Sequence, residues 1–390
     1  MRNKRRLPLL VLIVLCMTAM LMCTACGGSG DGGSTEDTKK AEAPKIDGLT
    51  FTERVDLDYA QEFDIFKYED GYAVIDTHED KKFLLVPKGK DVPENLDDSL
   101  VVVNEPADNI YLAATASMSL FDAMGAMDHV TMTSVNANGW SVDAAVKALK
   151  SGKMQYAGKY NEPDYEMILD NNCELVVEST MIYHNPEVKE MFEELGLPVF
   201  VDRSSYESNP LGRTEWIKAY GVLTGKEKEA NEFFEKQKKV IKQLDDMENT
   251  GKTVAFFYVT TDGKVVVRSS HDYVSTMIKM AGGKYAFEGI EDESGKASVS
   301  MTMESFYEAA VDADYIVYNG SIDNTVKSLK DLYAKDEIFK KFKAVKEGHC
   351  YMTGNSMYQR TDVISNMIMD FNKILTKENP GDMEFLTKMK

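Results

Sequence analysis

Two stretches of alternating strand and helix signals, divided by a run over 210–247 that reads as helix almost throughout, constrain this chain more than any other feature. In the first stretch NIYLAAT (109–115) reads as a buried strand, 117–124 as a helix and 129–135 as a strand. Residues 141–149 read as a helix with Val142, Ala145, Val146 and Leu149 on one face. A short helix over 165–169 and a strand over 175–178 follow. Next come a helix over 186–195, with Pro186 in its first turn and Gly196 as its stop, and a strand over 197–201. Strands alternating with helices imply an α/β fold with a mainly parallel sheet.

The middle run breaks once, near Gly225. Beyond the break Ala230, Phe233, Phe234, Val240, Ile241, Leu244 and Met247 recur at helical spacing, and Glu232/Lys236 and Glu235/Lys239 form i,i+4 pairs on the outer face. That is a helix of roughly 20 residues, or ~30 Å, ended by Gly251. The second stretch reads as strands over 253–259 and 265–268, then a helix over 273–281 stopped by Gly282 and Gly283. A helix over 302–310, a strand over 315–318, helices over 326–333 and 336–342, a strand over 350–353 and a last helix over 361–375 complete it. The fold class is therefore α/β: two α/β lobes joined by one long rigid helix.

The N-terminus is an export signal. Arg2, Lys4, Arg5 and Arg6 precede an uncharged apolar run from Leu7 to Met22, and Thr24, Ala25 and Cys26 follow. This is similar to a bacterial lipobox, with Thr24 and Ala25 in the small positions and Cys26 as the acylated first residue of the mature chain. Cys23 stands where Leu is usual. The rival reading is an uncleaved membrane anchor. The divisions are then a signal peptide over 1–25 and a flexible tether rich in Gly, Ser and charge over 26–48. A β-rich stretch over 49–94 holds FDIFKY, YAVIDT and FLLVP. The first lobe spans 95–208, the interlobe helical segment 209–249 and the second lobe 250–390.

With 43% hydrophobic and 28% charged residues the chain is an ordinary globular one. Its formal charge is −19, and loss of 1–25 removes four positive charges and leaves −23. An acidic chain of this kind has no basic face for nucleic acid. Beyond the signal and Cys26 only Cys173 and Cys350 remain, far apart and without a CxxC, which reads as two buried free thiols.

No catalytic arrangement stands out: the chain has no HExxH, no GxSxG and no dinucleotide fingerprint after a strand. Gly251-Lys252-Thr253 resembles the end of a phosphate loop, but position 246 is Asp and the triplet leads from helix to strand, the reverse of the required order. The five histidines are scattered, with no pair at zinc-site spacing. No catalytic residue, metal ligand or cofactor is assigned.

Open α/β sheets bind ligands in loops at the carboxyl ends of their strands. That rule selects Thr115 and Ser117, the loop ending at Trp140, Tyr160, the loop holding Tyr183 and His184, and Arg203 to Tyr206. In the second stretch it selects Arg268 with Ser269 and Ser270, Asn319 with Ser321, and Asn355 to Arg360, including Met357 and Tyr358. Arg, Tyr, Ser, Asn and Met at such places suit a bulky ligand with apolar surface and some negative charge. Each alone also reads as an ordinary loop polar group or helix cap.

This order of parts resembles the ABC-importer solute-binding lipoproteins for iron complexes, haem and cobalamin, over roughly residues 95–376. The run YESNPLGRTEWIKAYGVLTGK (206–226) is similar to that family's Pro, Leu, Gly, Arg, then Glu-Trp-Ile-Lys, then Gly-Lys turn. Asp164-Tyr165-Glu166 before a helix and ELVVES, RSSHDYVSTMIKMAGG (268–283), and Met301 to Glu304 before a helix and DYIVY are similar to its lobe signatures. The resemblance implies a ligand cleft between the lobes and capture of a metal–organic complex: a ferric siderophore, haem or cobalamin. It implies an ABC permease and ATPase as partners, and a lipid-anchored place on the outer face of the cell membrane. It also implies that Glu166 and Glu304, one on each lobe, dock onto Arg residues of the permease; by position each also suits a helix N-terminus. Arg213 and Arg360 would suit an anionic siderophore, and Tyr160, Tyr183, His184 and Met357 could serve haem as axial ligands. Trp140 is available for stacking on cobalamin. Arg213 also suits a structural pair with an acid on the long helix. The stretch 49–94 lies outside the resemblance.

Two other function classes compete with a binding module: a lipid-anchored metal- or cofactor-processing enzyme on the same frame, and a surface sensor or adhesin. Turnover of a bound complex distinguishes the first. The continuous helix implies modest lobe closure.

Overall fold

The structure, a computed structural model, describes residues 42–242, 249–291, 297–377 and 379–390. The expected signal, Cys26 and most of the tether lie outside the described residues, as do Leu244 and Met247. Residues 43–390 form one compact unit.

The β-rich stretch folds as a five-stranded sheet of β1 (Phe51–Arg54), β2 (Asp64–Tyr68), β3 (Ala73–Asp76), β4 (Lys82–Pro87) and β5 (Leu100–Glu105), paired in that order. The first four strands are antiparallel and β5 joins β4 in parallel. The sheet therefore runs to Glu105, past the expected boundary at 94. Its Phe63, Ile65, Ile75, Phe83 and Leu85 share one core with the first lobe. Phe63 meets Trp216 at a ring separation of 4.8 Å and Phe83 meets Phe200 at 5.0 Å. Strand residues this apolar on an inner face need a covering layer, and the first lobe supplies it.

The first lobe is built from β6 (Ile110–Leu112), α1 (Met118–Ala123), β7 (Val130–Thr133), α2 (Asp143–Ser151) and β8 (Gln155–Tyr156). A small ladder of β9 (Gly158–Lys159) and β10 (Glu162–Pro163) precedes α3 (Tyr165–Asp170), β11 (Val176–Ser179), α4 (Pro186–Glu194) and β12 (Val199–Asp202). The sheet order is β12-β11-β6-β7-β8, all parallel. Short apolar strands such as IYL and VFVD suit a sheet buried on both faces.

The helical run is three helices, α5 (Pro210–Glu215), α6 (Ile217–Thr224) and α7 (Glu227–Lys242). Every residue of α6 is buried, and Ile217, Tyr220 and Leu223 belong to the first-lobe core. The expected interlobe segment over 209–249 thus begins inside the first lobe, because IKAYGVLT has no polar face to show to water. Gly225, at φ 65°, caps α6 in the left-handed conformation and turns the chain into α7. The long bridging helix is α7, about 24 Å of it described. Ala230 and Phe234 enter the first-lobe core, and Ile241 enters the second.

The second lobe holds β13 (Thr253–Val259), β14 (Val265–Arg268), α8 (Tyr273–Met280), β15 (Lys284–Tyr285), β16 (Ser298–Met301), α9 (Met303–Ala310) and β17 (Tyr315–Tyr318). It continues with α10 (Leu329–Lys335), α11 (Lys343–Glu347), β18 (Cys350–Thr353), α12 (Ser356–Gln359), α13 (Ile364–Thr376) and β19 (Leu386–Lys388). Its strand order is β16-β14-β13-β17-β18-β19, with β15 also beside β13. The centre is parallel, while β14, β16 and β19 are antiparallel additions. Residues 337–341, expected as an α-helix, form a 3-10 helix. Cys173 and Cys350 are buried free thiols.

Candidate functional site

The lobes meet around α5 and the loops beside it. Arg213, from α5, donates through Nη1 to the Ser204 carbonyl (2.9 Å) and lies with its guanidinium carbon 4.2 Å from the Tyr273 ring centroid. Arg268 shares that ring at 5.8 Å but is held by Asp272 through Nε (2.9 Å) and Nη2 (2.5 Å), with Nη1 donating to Ser298 Oγ (2.9 Å). Burial disfavours the Arg268 charge, yet Asp272 outweighs it and its pKa lies well above the ordinary value. Tyr358 accepts a hydrogen bond from Asn319 Nδ2 (2.8 Å) and is within electrostatic reach of Arg268 and Tyr273. Three of the expected residues, Arg213, Arg268 and Tyr358, thus converge. Among the described residues Arg213 Nε, Tyr273 OH and Asn319 Oδ1 are buried without a hydrogen-bond partner.

Beside this cluster a cavity of about 490 Å3 opens between the lobes. Ser205, Tyr206, Glu207 and Ser208 line it from the loop after β12; Ser269, His271, Asp272, Glu291 and Ala297 line it from the second lobe; Glu62 lines it from the stretch before β2. Most of the acids are partnered. Glu62 holds Arg203 through Nε (3.1 Å) and Nη2 (2.5 Å), Arg268 holds Asp272, and Glu291 meets His271 Nδ1 at 2.7 Å. Glu207 accepts from the Gln61 amide (2.9 Å), the Glu62 amide (3.1 Å) and Trp216 Nε1 (3.0 Å). Burial nevertheless pushes its carboxyl up to about 7, with those donors opposing the rise. The surface is polar and rich in hydroxyls, with four carboxylates and one histidine in its lining and Tyr206 as its exposed aromatic face.

Several expected site residues lie elsewhere. Ser117 is fully buried, its Oγ donating to the Ala114 carbonyl (2.8 Å) at the start of α1. Trp140 is in the first-lobe core, its Nε1 donating to the Val135 carbonyl (3.0 Å), because its indole is large enough to need that cover. Thr115 is half-buried after β6, and Tyr160 packs against the core cluster that holds Tyr111 of β6 and Phe192 of α4. Tyr183 donates to Glu79 of the N-terminal sheet, and burial together with that bond raises its pKa. His184 is exposed beside it and lines no described cavity, and Met357 is buried in the second-lobe core. Arg360 is paired with Asp362 (2.9 and 3.0 Å) and reaches Glu384 at 3.4 Å. Its neighbour at the end of α12 crosses the gap: Gln359 Nε2 donates to the Gly139 carbonyl (2.8 Å), and its Oε1 accepts from the Ser141 amide (2.6 Å).

Glu166 and Glu304 are exposed in the first turns of α3 and α9. Neither is the cap. Asp164 accepts from the Met167 amide (3.0 Å) and Thr302 from the Ser305 amide (3.2 Å), so both glutamates face water.

Sequence reasoning missed Glu62, Glu207, Asp272 and Glu291 as lining residues. Glu207 stands inside the 206–226 motif and Asp272 stands i+4 from Arg268, signals that were present; Glu62 and Glu291 carry none.

The fold has clear relatives. Over 351 residues the chain is 26% identical to an uncharacterized lipoprotein of Methanocaldococcus jannaschii, covering 83% of this chain and 82% of that one. It is similar to the haem-binding protein HutB of Vibrio cholerae, with a TM-score of 0.56 at 16% identity over 70% of this chain and 100% of that one. It is equally similar to the petrobactin-binding protein YclQ of Bacillus subtilis, with a TM-score of 0.56 at 17% identity over 71% of this chain and 94% of that one. The family described as periplasmic binding protein matches residues 110–357, well over half of the sequence and both lobes of the fold, and the chain belongs to that family.

Proposed function

We propose that this chain is the extracytoplasmic solute-binding component of an ABC importer, anchored through Cys26, which captures a metal–organic complex between its lobes and hands it to a permease. One observation carries the reading. Loops 205–208 and 269–272 face each other across a cavity of about 490 Å3, within the roughly 300–1,000 Å3 usual for small-molecule sites. A ligand there touches both lobes at once and favours the closed arrangement by its contacts to each. Because α7 is rooted in both cores, closure is a small rocking motion rather than a wide hinge.

The lining favours a complex held by hydrogen bonds over one held by a single charge. Arg268 and Arg360 are already paired with acids, and Arg213 is engaged by Ser204 and Tyr273. Tyr160, Tyr183, His184 and Met357, the axial candidates for haem, do not line the cavity, and neither does Trp140. Serine hydroxyls, paired carboxylates and the Tyr206 ring suit a neutral, amide- or hydroxyl-rich complex, such as a hydroxamate siderophore or a cobalamin. Glu166 and Glu304, exposed on separate lobes, suit docking onto basic residues of the permease.

Trp216 reports on this site, since its indole is bonded to the lining residue Glu207. Titrating the mature chain with ferrichrome, cyanocobalamin and haemin should give saturable Trp216 quenching by one of the first two. Quenching by none of the three contradicts the reading.

A further inference from the structure

We infer that the N-terminal sheet is part of the ligand site, with the segment 58–62 forming a third wall of the interlobe cavity and Glu62 setting the position of its aromatic face. This deepens the solute-binding reading above and rests on it. The segment lies outside the family match, which begins at 110, yet five consecutive amides are fixed to two buried carboxylates, Glu207 in the loop after β12 and Glu215 on α5. Glu215 accepts from Asp58 (2.9 Å), Tyr59 (2.7 Å) and Ala60 (2.9 Å), and Glu207 from Gln61 (2.9 Å) and Glu62 (3.1 Å). A run of amides held this way is a rigid strap, because releasing it would strand two desolvated acids.

The strap sits where the lobes meet. Tyr59 packs against both cores. A Cβ at Gly212 would come 3.1 Å from the Tyr59 carbonyl oxygen and 2.9 Å from Glu207 Oε2, so glycine there lets the strap approach α5. The strap ends on Glu62, which lines the cavity and grips Arg203, and the Arg203 guanidinium carbon lies 5.1 Å from the Tyr206 ring centroid. Tyr206 is 47% exposed and lies against the Arg203 guanidinium, so Glu62 acts on it through Arg203 as a positioning residue. The alignment with the Methanocaldococcus jannaschii lipoprotein is too long to fit within 106–390, so it extends into this N-terminal part.

The test compares the wild-type mature chain with Glu62→Ala, Glu62→Gln and, as an exposed control on β1, Glu53→Ala. Each is titrated by calorimetry with ferrichrome, ferric enterobactin, haemin and cyanocobalamin, and exchange at amides 58–62 is followed by mass spectrometry. The expected result is that a probe bound by wild type loses about tenfold in affinity in Glu62→Ala. Glu62→Gln should fall between, Glu53→Ala should match wild type, and amides 58–62 should stay protected in all four. Equal affinity in wild type and Glu62→Ala, with the strap protected, overturns the third wall and leaves the solute-binding reading standing. Binding of no probe by wild type overturns that reading and this one with it.

Discussion

The Arg213 guanidinium carbon lies 4.2 Å from the Tyr273 ring centroid, which ties the start of the connector to the first helix of the second lobe. With Nη1 on the Ser204 carbonyl, one buried side chain spans the first-lobe loop and the second lobe. Arg213→Ala should cost about 2–3 kcal/mol, from an emptied buried volume and a lost cation–π contact. Arg213→Lys should recover part of it. Urea denaturation of the three proteins measures both differences.

The strap depends on Glu215 more than on any other residue. Glu215→Ala leaves three amides and the Lys218 ammonium, 2.6 Å away, without their acceptor. The expected loss is about 3–5 kcal/mol, as for a broken buried ion pair. Amides 58–60 should exchange at the rate of an open loop while the second-lobe core stays protected.

A pH window follows from Asp64 and His78 in the N-terminal sheet. Burial raises the Asp64 pKa, but bonds from His78 (3.1 Å) and Arg54 (2.8 Å) outweigh it and hold the carboxyl below its usual value. The bond to Asp64 raises His78, against a smaller opposing effect of burial. Asp64 therefore contributes stability above its unfolded value near 4, lost as pH falls through its lowered folded value. His78 contributes stability below about 6.5, lost as pH rises through its raised folded value. The melting temperature should be highest between roughly pH 4 and 6.5 as far as this pair decides it, and His78→Gln should flatten the alkaline side.

Much of this architecture is written locally in the chain. The strands FDIFKY, YAVIDT and FLLVP, the stop at Gly196 and the break at Gly225 rest on near neighbours, and they fall where their patterns put them. The edge strands SVSM and LTK are short and half polar, so their signal is weak. The site is less legible because its decisive contacts are distant: Gln61 and Glu207 are 146 residues apart, and Gln359 and Gly139 are 220 apart. Loop position points to Arg268 and Tyr358, and the resemblance points to Arg213, but neither says which partners occupy their polar atoms. Trp140 shows the limit, since a loop-end indole and a core indole look alike in sequence.

Glu207 and Trp216 offer a spectroscopic check. With the carboxyl pushed up to about 7 by burial and the indole donating to it at 3.0 Å, Trp216 emission in Trp140→Phe should titrate with a midpoint near 7. Glu207→Gln should abolish the transition, and a pH-independent emission in Trp140→Phe would contradict the assignment.

Gln359 closes the gap between the lobes with one donor and one acceptor bond. Gln359→Ala should cost about 1–3 kcal/mol, because the Gly139 carbonyl and Ser141 amide lose their partners. It should also widen the ligand-free chain, visible as a larger radius of gyration in X-ray scattering.

The central claim is that a metal–organic complex binds between the lobes, and cavity filling tests it most directly. The mature chain and the variants Ser205→Trp and Ser269→Trp, which fill the cavity from opposite walls, are titrated calorimetrically with ferrichrome, cyanocobalamin and haemin. The account predicts that wild type binds ferrichrome or cyanocobalamin with a Kd below about 1 μM and that either tryptophan abolishes binding while the protein stays folded. Binding that survives both substitutions, or no binding by folded wild type, would contradict it.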